Sequence, residues 1–80
     1  MARYVFVIEN GFGVADETAT AEYPDMDMVR REAARYFGQL MIDHPRELWD
    51  GRVAALVVRD EAGLVLLRID VVATDAPALV

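Results

Sequence analysis

Eighty residues with 55% hydrophobic and 28% charged side chains form one globular domain over residues 1–80, short enough to bury only about 60 to 65% of the surface its unfolded chain exposes. No apolar run approaches the roughly 18 residues that span a bilayer, and the lack of cysteine removes disulfides and thiolate metal sites. A net charge of −6, with eight Arg and no Lys or Ser, repels phosphate backbones and sets nucleic acid aside as a partner, as the lack of a spanning run does a membrane.

The opening MARYVFVIEN lacks a small-residue cleavage site and reads as a strand, not a signal peptide, which makes the cytoplasm the expected compartment. Within it, Arg3 to Glu9 is rich in β-branched and aromatic residues, with Tyr4, Phe6 and Ile8 on one face and Val5 and Val7 on the other. Asn10-Gly11 suits a type I′ turn and predicts a short return strand over Phe12 to Ala15. The acidic, small-residue stretch from Asp16 to Tyr23 is compatible with strand or loop.

Pro24-Asp25 opens the one clear helix, with Asp25 as N-cap and Asp27 near the positive end of the dipole. Met26, Val29, Ala33, Phe37, Leu40 and His44 fall on one stripe flanked by Tyr36 and Met41, which faces the sheet, while Met28 and Ile42 project away from it. Pro45 ends the helix near Asp43. His44 to Arg52 reads as a turn-rich connection in which Trp49 caps one end of the core.

Val53 to Val72 holds two apolar runs around Asp60-Glu61-Ala62-Gly63, a type I turn with Gly63 in the left-handed conformation and Asp60 opposite Leu64. That register places Val53, Ala55, Val57, Val65, Leu67, Ile69 and Val71 on the expected core face. The other face carries Leu56, Val58, Leu64 and Leu66, with Arg68 and Asp70 further back.

The order strand, strand, helix, strand, strand predicts an α+β fold: a four-stranded antiparallel sheet with one helix on one face. Because one helix shields one side only, Val5, Val7, Leu56, Val58 and Leu66, with Ile42 on the helix, form the candidate interface, and a second copy is the expected partner. The alternative is that the tail and the Pro45 to Arg52 loop fold over that face.

The pattern of Arg3-Tyr4 in an aromatic-aliphatic strand, Asn10-Gly11, Asp16-Glu17, Pro24-Asp25 before an Ala/Arg-rich helix, and the Asp60-Glu61-Ala62-Gly63 hairpin resembles the domain-of-unknown-function family six-eight-nine-four. That likeness covers most of the chain and implies small stand-alone bacterial proteins of this shape, with no catalytic or binding residues to carry over. The Arg, Ala, Val and Asp bias also fits a GC-rich bacterial gene. A weaker likeness, resting on an N-terminal hairpin, Tyr23-Pro24-Asp25 and the amphipathic helix, is to antitoxin partners of the Hic type.

Chemistry finds little footing. Without Ser, Cys or Lys, the hydroxyl and thiol nucleophiles of covalent catalysis are reduced to Thr18, Thr20 and Thr74, with one His to activate them. Asp43, His44 and Glu47 imitate part of a metal site but lack a closed ligand set, and His44 is better read as a helix-end residue. Gly11-Phe12-Gly13 runs into acidic residues instead of a helix, against a dinucleotide loop. Asp16 to Asp27 lacks the central Gly of a calcium loop. Asp25 and Asp27 are accounted for as cap and dipole residues, and Arg30, Arg31 and Arg35 as a solvated strip. The expectation is a non-catalytic interaction or regulatory module without cofactor or metal, acting as a homodimer. Two alternatives stand beside it: an antitoxin-like inhibitor of a small basic toxin, and an enzyme subunit or small-ligand carrier in which dimerisation builds a pocket containing Tyr36, His44 or Trp49.

Overall fold

A computed structural model describes residues 1–12 and 15–76, with backbone alone at 15–18. Six elements follow in order: β1 (Ala2–Glu9), β2 (Ala15–Tyr23), α1 (Met26–Asp43), α2 (Pro45–Trp49), β3 (Ala55–Asp60) and β4 (Val65–Asp70). The strands form one antiparallel sheet in the order β2-β1-β3-β4, so the first and third strands are central and α1 lies on one face. This is the expected α+β architecture.

The β1–β2 connection is wider than a two-residue turn. Glu9 pairs with Ala15, and neither Asn10 nor Gly11 has a positive φ, so the type I′ geometry is replaced. Asn10 Oδ1 instead accepts the Phe12 N–H at 2.9 Å, and the Gly11 N–H donates to Gly51 O at 2.6 Å, tying this loop to the start of the segment that leads into β3. The return strand runs through Tyr23, nine residues, with a bulge opposite Phe6/Val7. The undecided acidic stretch is thus strand. Ala19, Ala21 and Tyr23 share the face of Phe6 and Tyr4, with Thr20 and Glu22 on the other.

Helix α1 starts where the cap places it: Asp25 is extended, and its Oδ1 accepts the Met28 N–H at 2.9 Å. It ends at Asp43, where His44 leaves helical angles ahead of Pro45 and donates its N–H to Leu40 O. Pro45 then initiates the five-residue α2, since a missing N–H costs nothing in a first turn. The connection read as turns is therefore partly helical. Trp49 ends α2 at 56% exposure and does not cap the core.

Asp60 organises the β3–β4 turn as its side chain suggested, accepting the N–H groups of Ala62 and Leu64 at 2.9 Å, with Gly63 at φ 87°. The register beyond the turn differs from the sequence reading. Arg59 pairs with Val65 but Val58 pairs with Leu67, which leaves Leu66 as an extra residue. Every residue of β4 after this bulge changes face relative to a plain hairpin.

The core is consequently built from the other phase of β3. Leu56 and Val58, both fully buried, join Tyr4, Phe6, Val29, Ala33, Phe37 and Val53 beneath the helix, with Leu67 and Ile69 beside them on β4. Ala55 and Val57, expected in that core, lie on the opposite face with Val7. Alternation could not set the phase, because nearly every position of this run is apolar.

Leu56→Ala should lower stability by about 2–5 kcal/mol through the cavity it leaves. Gly38→Ala, where an added Cβ meets nothing within 4 Å of a helical backbone, should raise stability by about 0.5–1 kcal/mol. Gly63→Ala has open space but a positive φ, and should cost about 1–2 kcal/mol. Denaturant midpoints read all three.

Candidate interaction surface

The sheet face away from α1 is not the bare apolar patch that its valines suggested. Of the candidate interface residues, Leu56 and Val58 belong to the helix-side core, Leu66 is half-buried against that core, and Val5 is half-buried on the far face. Ile42 stands apart on the helix, 73% exposed. Val7 and Val57 are direct partners on the two central strands of the far face, and each is only 1% exposed.

Charges line part of this face. Arg68 on β4 reaches across β3 to β1, its Nη1 2.9 Å from Glu9 Oε1, while its Nε donates to Asp70 Oδ1 at 2.9 Å. Since Ala55 pairs with both Glu9 and Asp70, the guanidinium passes over Ala55 and beside Val57. Hydrogen bonds to Asp70 and then to Glu9 raise the Arg68 pKa above its ordinary value, so its charge is fixed. The sequence placed Arg68 and Asp70 together on this face, but their link to Glu9 needs the β1–β3 pairing, which local spacing does not reveal.

Uncovered apolar surface gathers instead along β4. Leu67, Ile69 and Val71 pack against the core yet stay half-buried, because β4 is the strand beyond those under α1. Beyond it, Leu64, Val65 and Val72 are 64%, 51% and 87% exposed, Val65 on the far face opposite Arg59.

Residues considered for chemistry do not converge. His44 Nδ1 lies 3.8 Å from Glu47 Oε2, while Asp43 accepts a bond from Gln39 at 3.0 Å. Among the described residues, no group of three or more His, Asp or Glu is placed to hold a metal ion. Arg31 and Arg35 of the basic strip pair with Asp27 and Glu32.

One cleft opens between β2 and α1, about 170 Å³, where Ala19 and Ala21 leave a hollow beside Tyr23 and Tyr36. Phe6 forms its floor, 6.0 Å from the Tyr36 ring in an edge contact. This volume is below the roughly 300 Å³ at which small-molecule sites begin. A second hollow of about 150 Å³ includes Tyr36 and His44 but not Trp49.

At the first cleft's mouth, Arg35 donates to Glu32 Oε2 at 2.8 and 3.1 Å, and this bond holds the Glu32 carboxyl below its ordinary value. A lowered carboxylate pKa gives a contribution present above the unfolded-state value and lost as pH falls through the folded one. The pair is exposed, so its effect on stability is small. Arg35→Gln should shift the Glu32 titration midpoint upward in a carbon-detected NMR titration, with little change in the melting temperature.

Among the described residues, no helix is long and apolar enough to cross a membrane. Comparison with curated proteins and with solved structures finds no match. The family described as domain of unknown function DUF6894 matches residues 3–73, from the first residues of β1 to just beyond β4. The chain belongs to this DUF6894 family.

Proposed function

We propose that this chain is a non-catalytic interaction or regulatory module that works as a homodimer in the bacterial cytoplasm. The observation that carries the reading is the helix-side strip of Leu67, Ile69 and Val71 on the outer strand β4, which stays half-buried beyond the strands under α1. Burying such a side chain fully gains roughly 1.5–3 kcal/mol, and a short chain has few other sources of stability. A second copy covers the strip without requiring any other gene product. The far sheet face, where Val7 and Val57 are buried and Arg68 bridges Glu9 and Asp70, is a poorer contact surface than the sequence implied.

The non-catalytic part of the proposal is supported by the scarcity of nucleophiles and by the engagement of Asp43 with Gln39 and of His44 with Glu47. The antitoxin-like alternative draws on the net charge of −6 and on the acidic composition of the outer strand β2. A stable mixed complex with a basic protein encoded beside this gene, in place of self-association, would favour it.

Light scattering on a size-exclusion column tests the main reading. The expected mass is twice the 8.9 kDa of one chain. A single-chain mass maintained to high concentration would contradict it.

A further inference from the structure

Self-association leaves open how two copies meet, and on that reading the sequence of β4 selects one arrangement. β4 is an outer strand with no Pro or Lys to blunt its free edge. The Val71 N–H donates inward to Ala54 O at 2.9 Å. Alternation along an antiparallel strand then turns the main-chain groups of Leu67 and Ile69 inward too, and those of Arg68 and Asp70 out to the free edge.

We infer that two copies pair antiparallel along β4, about a two-fold axis through Ile69, to form one continuous sheet with both α1 helices on the same side. An axis relating two adjacent antiparallel strands stands perpendicular to the sheet, so residues that meet share a face. Centring it on Arg68 or Asp70 sets a like charge against itself, and centring it on Leu67 sets Arg68 against Leu66. Centred on Ile69, Arg68 meets the partner's Asp70, Asp70 meets the partner's Arg68, and Leu67 meets the partner's Val71. Opposite charges directly across a strand pair are favourable.

Main-chain geometry agrees with this register. The outward groups of Arg68 and Asp70 exchange hydrogen bonds with those of the partner's Asp70 and Arg68. Ile69 then faces its own copy across a non-hydrogen-bonded position. On the helix side, Leu67, Ile69 and Val71 of both copies form one apolar strip between the helices. The other outer strand offers no such match, since β2 carries Asp16, Glu17 and Glu22 with no basic residue. Self-pairing there offers no opposite-charge match.

Single-cysteine trapping reads the register, because the chain has no cysteine of its own. Facing Cα atoms at a non-hydrogen-bonded position stand about 4.5 Å apart, within the reach of a disulfide. Ile69→Cys should oxidise to a covalent dimer, while Val5→Cys on the far sheet face and Ile42→Cys on the helix should remain single chains under the same oxidant, each with an unchanged circular dichroism spectrum. By light scattering, Arg68→Asp should halve the mass, and Arg68→Asp with Asp70→Arg should restore it. A dimer that Val5→Cys or Ile42→Cys traps in preference to Ile69→Cys, or a charge swap that fails to restore the mass, overturns the β4 pairing and leaves self-association standing. A single-chain mass for the unaltered protein overturns both.

Discussion

Among the described residues, one long amphipathic helix shelters one face of a sheet whose two central strands carry apolar residues on both faces. The stripe of Val29, Ala33 and Phe37 seals the inner face over β1 and β3, where Tyr4, Phe6, Leu56 and Val58 are buried. A rod about 10–12 Å wide covers only two or three strands set nearly 5 Å apart. What lies beyond its reach has to be solved in other ways. The rest of the structure consists of those solutions.

On the far face part of the solution is electrostatic. Small β-branched residues occupy the two central strands, and Arg68 draws its guanidinium across them to Glu9. The long stem of an arginine covers apolar surface while its head stays hydrated. At the β2 flank the solution is economy of size: Ala19 and Ala21 leave room for Tyr23 and Tyr36 each to pack on Phe6, with a hollow of about 170 Å³ beside them. At the β4 flank no such device is seen among the described residues, and Leu67, Ile69 and Val71 stay half-open. That contrast between the two outer strands is the basis for assigning β4 to self-association.

The sequence was a good guide at most places where a residue acts through its immediate neighbours, the Asn10-Gly11 turn being the exception. Asp25 and Pro45 bound the helix, and Asp60 with Gly63 builds the tight turn, because caps and turns are settled within four residues. It was a poor guide where phase depends on pairing. In VAALVVRD every face looks apolar, so only the register to β1 shows that Leu56 and Val58 turn inward, and the bulge at Leu66 then reverses β4. Two of the expected interface residues were lost to the core by that single offset. The acidic strand β2 did carry a signal, since Ala19, Ala21 and Tyr23 alternate with Thr20 and Glu22, but side chains so small make a weak one. Trp49 was read by its bulk alone, and bulk does not specify a partner.

Amide hydrogen exchange along β4, measured at high and low protein concentration, tests most directly whether a second copy completes the sheet. The account predicts that the outward amides of Arg68 and Asp70 are protected as well as the inward ones of Ile69 and Val71, and lose that protection on dilution. Rapid exchange at Arg68 and Asp70 at every concentration, with slow exchange confined to Ile69 and Val71, would show a free edge and contradict it.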